Sequence, residues 1–593
     1  MELKDYRELL DIATKGLCAV TTEMRVELQE VPKSVDRMVV ENLVLTSDDI
    51  CLDPVLLSRR IDETFAQKKT LMETLKATRI LTPAAQWCPE DASEYEEKLS
   101  AIRAEDHDNI DAHSLRVLIT RGLKGVAQIA DMAYRIGFED EGIDPFLQRV
   151  LQRTLKFNLS IGLLFNLSME VGGFGYRAMG LLDKALIDRY GTPSLTNVEL
   201  GVRKNPGILV AGQDLRVLEC VLQATDGQGV DVYTYGELLS AHAYENLRSV
   251  DHFAGQYGDS PENQTADFAD FHGPVIFAGS GVKAPEESFR DRFYTAGLTF
   301  VPEVRNFQPD EDLWYDFTEV VEQAKACEPP KDKRIGEQII GFGHDQLNTM
   351  GERILGSLND HSIDRLIAIL GTDSADPRET YFADLAAELP KNSAILTAGS
   401  VQSRLATLGL GTVRGIPRVL TVGQLPDQYS ICMFAMKLQA DLEKYDLNGV
   451  PVSFVLSISD ERSLLSLLVL LYVGAKKIVI GPAIPNFLTE NIFGIFEKNF
   501  GLTAAGTPSE DAKAFFEKTE NTDGTIDTNM LIIDILDKYP EAATILMNVG
   551  MSCVTCGSAL YESLAEACMV HGLDPEDIKE VLDHELGLVE DDE

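Results

Sequence analysis

The sequence predicts a multi-domain protein: an N-terminal all-α domain, two Rossmann-like α/β domains with parallel sheets, and a small C-terminal α-helical domain. Three observations predict it. At 593 residues the chain is too long for one hydrophobic core, since domains run to about 100 to 200 residues each. Apolar residues recur at helical intervals up to about position 200. From Pro206 onward, short apolar runs that end at glycine alternate with helical segments.

In chain order, the first domain spans residues 1–204. Ser114 to Ala130 shows its pattern best, with apolar residues three and four apart and no β-rich run, the spacing of one helix face. The acidic stretch 89–111 offers little apolar surface and reads as a solvated loop or short helix between helical pairs. The first α/β domain, residues 205–350, takes its strands from Gly207-Ile-Leu-Val-Ala-Gly, Val230-Asp-Val-Tyr-Thr-Tyr-Gly and Pro274-Val-Ile-Phe-Ala-Gly. The second, residues 351–504, takes its strands from runs beginning at Leu366, Ala394, Arg418, Val452 and Lys477. Such alternation implies a parallel sheet covered by helices, with ligands beyond the carboxyl ends of the strands. Residues 505–524 read as a linker with one short helix, and residues 525–593 as a helical domain carrying a CxxC.

Composition narrows the function. The net charge of −42 repels phosphate backbones and anionic lipid, which argues against nucleic acid or a membrane surface as partner. The longest apolar run, around Leu464 to Val473, falls short of the roughly 20 residues that a bilayer span needs. Residues 1–16 form a charged amphipathic helix rather than a secretion signal, so the expected location is the cytoplasm. No loop has the phosphate-cradling form: in Gly409-Leu-Gly-Thr-Val-Arg-Gly the third glycine comes one residue late for GxGxxG. Of nine cysteines, Cys18, Cys51, Cys88, Cys220, Cys327 and Cys432 stand alone and read as small apolar residues; no disulfide framework is expected.

Several segments resemble one family. Gly212-Gln-Asp-Leu, the stretch Gly229 to Tyr244, Asp291-Arg-Phe-Tyr-Thr-Ala-Gly, Gly341-Phe-Gly-His, Ile395-Leu-Thr-Ala-Gly, Asp427-Gln-Tyr-Ser and Gly481-Pro-Ala-Ile-Pro-Asn-Phe-Leu resemble, in the same order, the hybrid-cluster proteins, also called prismane or hydroxylamine reductases. The resemblance runs from about residue 110 to 503, with no family motif seen before about residue 100. It implies a helical domain and two Rossmann-like domains with the active site between all three. It also implies an oxidoreductase whose iron-sulfur-oxygen cluster is held by a histidine, two glutamates and four cysteines.

At those positions this chain departs from the family. The histidine falls at Gln213, and the cysteines fall at Gly281, Thr372, Ser400 and Leu425. The second glutamate is Asp460, a nearby lysine is Arg462, and only Glu237 keeps the family's residue type. The N-terminal cysteine motif for a second cluster is also missing, since Cys18 has no CxxC companion. Cluster irons need soft thiolates, so the family's iron-sulfur clusters are expected to be absent. Two readings of the old site stay open: an oxygen-ligated metal on Glu237 and Asp460, joined by Asp373 and His242, or buried hydrogen bonds and salt bridges with Arg462 pairing Asp460.

The C-terminal unit has its own signature. Thr528 reads as the N-cap of a first helix and Pro540 precedes a second. Gly550-Met-Ser-Cys-Val-Thr-Cys then places Cys553 and Cys556 at the start of a third helix running on through Leu564 towards Cys568 and His571. A helix N-terminus stabilises a thiolate. The segment resembles the small redox disulfide domain associated with hybrid-cluster proteins, which implies that Cys553 and Cys556 are a catalytic dithiol. A half-site for zinc or an iron-sulfur cluster, or two inert thiols, are the competing readings. The expected function is therefore thiol redox or partner binding, with a protein redox partner or a small-molecule ligand and with oligomers allowed. The alternatives are a hydroxylamine or nitric-oxide oxidoreductase with a rebuilt metal site, or a structural subunit of an anaerobic redox complex.

Overall fold

Helices built on the three- and four-residue repeat fill the first 190 residues, chiefly Leu3–Val26, Lys33–Leu45, Pro54–Thr74, Ile110–Arg135, Ile143–Thr154 and Ile161–Tyr190. Their ends follow local chemistry. The Asn109 side chain accepts from the Ala112 N–H at 3.0 Å, Asp53 caps a helix with proline in its first turn, and Gly191 ends the longest helix at φ 89°. The acidic stretch holds the helix Ser93–Asp106. This computed structural model describes residues 1–75, 82–89, 93–106, 109–156, 159–258, 260–333, 336–374, 376–406, 408–444, 446–516, 526–528, 530–551 and 563–589.

The glycine-ended apolar runs form two six-stranded parallel sheets. The first contains β1 (Gly207–Gly212), β2 (Asp231–Tyr235), β3 (Phe253–Gly258), β4 (Val275–Ala278), β5 (Phe293–Ala296) and β6 (Asn306–Phe307), in the order β3-β2-β1-β4-β5-β6. The second contains β7 (Arg365–Gly371), β8 (Ser393–Ala398), β9 (Val419–Gly423), β10 (Val452–Ser457), β11 (Ile478–Ile480) and β12 (Thr503–Ala504), in the order β9-β8-β7-β10-β11-β12. Both are the doubly wound order, so each has a switch point, between β1 and β4 and between β7 and β10, where a crevice opens at the carboxyl ends. The strands β1, β2, β8 and β10 are buried along their whole length, as sheets covered on both faces require. The Gly409 to Gly415 stretch lies at a small antiparallel pairing, Thr412–Val413 with Ile416–Pro417.

The apolar run near Leu464 is the helix Glu461–Tyr472, buried on all sides through Leu471 and packed on Ile110–Arg135 and Ile161–Tyr190. It joins the second sheet to the helical layer. The approach is close enough to require glycine: a Cβ on Gly172 would lie 2.2 Å from the Leu468 carbonyl oxygen. Among the described residues no helix is long and apolar enough to cross a membrane.

The chain divides into two compact units, residues 1–515 and 516–593. This shortens the expected linker. Pro508–Ala514 is a helix started by a Thr507–Glu510 capping box, and the Tyr381 hydroxyl donates to Asp511 at 2.6 Å, so the first part of 505–524 belongs to the large unit.

The second unit has helices Ile532–Lys538, Ala542–Asn548, Leu564–His571 and Pro575–Glu585 around Ile535, Leu546, Met551, Leu564, Cys568 and Leu582. Two expectations are corrected. The first helix begins at Ile532, not after Thr528. The helix bearing Cys568 begins at Leu564, because Ser563, with extended backbone at ψ 157°, forms a capping box with Glu566. It does not run on from the CxxC. Cys553 and Cys556 lie outside the described residues.

Candidate functional site

The site lies where the two switch points and the helical layer meet. On the first sheet, β1 ends at Gly212, whose φ of 103° turns the chain so tightly that a Cβ would meet the Ala278 carbonyl oxygen at 2.1 Å. Gln213 follows and folds into the crevice. Its Oε1 accepts from the Ser280 N–H at 2.8 Å, and its Nε2 donates to the Ser280 carbonyl at 3.4 Å and to Glu237 Oε1 at 3.3 Å. Glu237, 2% exposed, opens the 3-10 turn Gly236–Ala243 just after β2.

On the second sheet, Thr372 follows β7 and Asp460 follows β10. The Thr372 hydroxyl donates to Asp460 Oδ1 across the switch point at 2.6 Å. Asp460 is also the N-cap of the helix Glu461–Tyr472 and forms a capping box with Ser463, which fixes Arg462 in the first turn, pointing at the first sheet. Arg462 Nη2 donates to Glu237 Oε1 at 2.7 Å and Nη1 to Oε2 at 3.3 Å, a two-pronged pair. Its Nε and Nη2 reach Asp460 Oδ2 at 3.3 Å. The Leu425 N–H, after β9, donates to Glu237 Oε2 at 3.0 Å, and Gln424 Nε2 to the Gln213 carbonyl at 2.9 Å.

The electrostatics follow from this clasp. Burial pushes the Asp460 carboxyl up, but the Arg462 charge and the Thr372 and Ser463 donors outweigh it and hold the carboxyl below its ordinary value. Burial likewise works against the Arg462 charge, and the two acids more than restore it. Ser400, after β8, accepts the Asp373 N–H at 2.8 Å. Asp373 pairs with Arg404 at 2.7 Å, yet burial pushes its carboxyl up to about 6. Burial and the Asp373 charge push neighbouring Glu379 up to about 7.

Gln213, Glu237, Thr372, Leu425, Asp460 and Arg462 therefore form one hydrogen-bonded cluster, with Ser400 joined at its edge through Asp373. Gly281 stands apart at the exposed rim, its carbonyl accepting from Gln264 at 3.2 Å. His242 does not join either. It bonds Thr234 at 2.9 Å and stacks on Phe253 at 3.8 Å, and burial holds its imidazole down at about 3. Among the described residues no three His, Cys, Asp or Glu side chains stand close enough to hold a metal ion. A cavity of about 50 Å³ adjoins the clasp, lined in part by Arg462, Gln213, Ser280, Gln128, Asp131 and Arg135.

The last three lining residues escaped the sequence reading. Arg135 bridges Asp131 at 2.7 Å and Asp214 at 2.9 Å, and Arg37 also pairs with Asp131. The i, i+4 spacing of Asp131 and Arg135 was the available signal. Cys18, Cys51, Cys220 and Cys432 are buried, as expected of lone cysteines, while Cys88 and Cys327 are half-buried.

Residues 1–513 match the Prismane/CO dehydrogenase family. The chain belongs to that family. The prismane match includes the first 100 residues, where the sequence alone offered no motif. Hydroxylamine reductase of Desulfovibrio desulfuricans is 36% identical over 515 residues, covering 87% of this chain and 94% of the relative. Hydroxylamine reductase of Clostridium botulinum (strain Loch Maree / Type A3) is 34% identical over 542 residues, covering 87% and 95%. The fold is shared with carbon monoxide dehydrogenase from Thermococcus sp. AM4, with TM-score 0.54 and 14% identity over 86% of this chain and 84% of that one. Carbon monoxide dehydrogenase IV from Carboxydothermus hydrogenoformans gives TM-score 0.54 and 13% identity over 86% of each chain. Residues 526–579 match a domain of unknown function, DUF1858.

Proposed function

We propose that this prismane-family protein works in the cytoplasm without the family's hybrid cluster, and that its chemistry is thiol exchange at Cys553 and Cys556 with a protein redox partner. The observation that carries this reading is the Arg462 guanidinium between Glu237 and Asp460, at 2.7 and 3.3 Å. An iron-sulfur cluster needs thiolate sulfur at its irons. Gln213, Thr372, Ser400 and Leu425 offer amide, hydroxyl and alkyl groups, and Arg462 brings a cation into the centre. The residues present do not fit such a cluster, nor a divalent ion on Glu237 and Asp460, whose oxygens already serve the arginine. With Arg462 filling the cleft, the large unit acts as a scaffold or as a surface for a protein partner, and the chemistry is left to the C-terminal dithiol.

Anaerobic purification tests this. Colourless, folded protein free of iron and acid-labile sulfide is the expected result, with disulfide exchange that Cys553→Ser abolishes. Stoichiometric iron or unchanged exchange in Cys553→Ser would overturn the reading. A second reading, reduction of hydroxylamine or nitric oxide, draws on relatives named hydroxylamine reductase and on a cavity of about 50 Å³, room for a few atoms at most. It requires bound metal that Glu237→Ala releases.

A further inference from the structure

The helical layer holds a second cleft, apart from the switch points. The ends of the helices Leu3–Val26 and Ile110–Arg135 and the starts of Lys33–Leu45 and Ile143–Thr154 enclose about 540 Å³, inside the range of about 300–1,000 Å³ usual for small-molecule sites. Val31, Phe138, Ile143 and Leu181 give it apolar walls. Three cations also line it, and each already has an acid. Arg25 pairs with Asp36 at 2.5 Å, Lys33 with Glu139 at 3.0 Å, and Arg37 with Asp131 and, at 3.3 Å, with Glu41. The Arg37 guanidinium is further held 4.1 Å from the Tyr134 ring centroid.

The acids of the wall outnumber these partners. Asp140 is held by Arg177 at 2.6 Å, but among the described residues neither Glu141 nor Asp144 pairs with a cation. Asp144 stands in the first turn of its helix, a place that suits an acid. Burial and the Asp36 charge nevertheless outweigh Arg37 and Arg25 and push its carboxyl up to about 6. A third acceptor of the wall, Gln29 Oε1, is buried with no hydrogen-bond partner among the described residues. What complements such a wall is a cation that donates hydrogen bonds and carries hydrocarbon. An anion would meet guanidinium groups already engaged, and among the described residues no three His, Cys, Asp or Glu side chains stand close enough for a metal ion.

We propose that this cleft is a binding site for a small aliphatic amine. Asp144 and Glu141 take the ammonium charge, Gln29 Oε1 accepts one of its hydrogens, and the hydrocarbon stem lies along Phe138, Ile143 and Leu181. Each part answers a feature that the fold leaves unmet: two acids without cations, a buried acceptor without a donor, and apolar walls open to a ligand. A charged donor meeting such acceptors forms stronger hydrogen bonds than a neutral one. The site is separate from the clasp on Glu237 and does not depend on the chemistry assigned to Cys553 and Cys556.

The test titrates the full-length protein with cadaverine, a five-carbon diamine, by calorimetry at physiological salt. Saturable binding is expected, with none for n-pentanol, which has the stem without the charge. Asp144→Asn should weaken cadaverine binding about tenfold or more. Glu388→Gln, which removes the same charge from an exposed acid outside the cleft, should leave it unchanged. Equal weakening by the two variants would mean that cadaverine answers only the net charge of −42 and would overturn the proposal, as would no saturable binding. Hydrogen exchange on the unaltered protein decides the matter even where Asp144→Asn fails to fold: cadaverine should slow exchange over residues 134–145, and protection confined to other segments overturns the site.

Discussion

The two switch points share a topology and handle buried acid in opposite ways. At the first, Glu237 gathers donors from both sheets: Arg462, the Leu425 N–H and the Gln213 amide. At the second, burial raises both Asp373 and Glu379 and the Asp373 charge raises Glu379 further, with Arg404 at Asp373 and the Ser374 and Ser457 hydroxyls at Glu379. The acid of the first sheet thus depends on a cation supplied by the second, whereas Asp373 and Glu379 of the second sheet are raised by burial. The largest expected effect follows from that dependence. Arg462→Met strands Glu237 without its ion partner and should cost about 3–5 kcal/mol in urea denaturation. Adding Glu237→Gln should restore most of the loss, because an amide needs no counter-ion. A double variant as unstable as the single would break the comparison.

The raised pair gives the next effect, and its sign is opposite to that of an acid held below its ordinary value, such as Asp460. Asp373 and Glu379 are raised to about 6 and about 7 in the fold, against ~4 in an unfolded chain. The native state therefore binds more protons between those values. The stability they contribute is full below about pH 4 and is lost as pH rises through about 7. Glu379→Gln should flatten this part of the pH–stability curve and exceed the unaltered protein at pH 8 by on the order of 2 kcal/mol. An unchanged slope between pH 5 and pH 7 would show that the Glu379 carboxyl is not raised in the fold.

How far the sequence could see this varies residue by residue. Glycine-ended apolar runs at β1, β4 and β7 announce a parallel sheet, and a parallel sheet of this order opens a crevice at its switch point, so the place where these residues gather was legible. The partner of Arg462 was half legible. Asp460 lies two residues away, but Glu237 is 225 residues off in sequence, and only the tertiary fold brings them together. His242 misled because a histidine near a glutamate suggests a metal, whereas its ring is spent on Thr234 and Phe253. In the C-terminal unit the Ser563–Glu566 box was readable as a helix start, yet unbroken apolar spacing towards Cys568 suggested a longer helix.

The smallest effect separates the two crevices at the level of one hydrogen bond. Thr372→Val removes a 2.6 Å donor from Asp460, which retains Ser463 and Arg462. The expected cost is about 1 kcal/mol, the net value of one hydrogen bond to a charged group that keeps other donors. Gln213→Leu instead strips the acceptor from the Ser280 N–H, held at 2.8 Å next to Gly279, and the leucine must fit where a Cβ on Gly279 would touch the Gln213 Oε1 at 1.9 Å. An orphaned N–H in so tight a crevice should cost about 2 kcal/mol. Guanidinium denaturation of the two variants side by side ranks them. If Thr372→Val proved the more damaging, the second switch point, rather than the clasp on Glu237, would be what holds the site together.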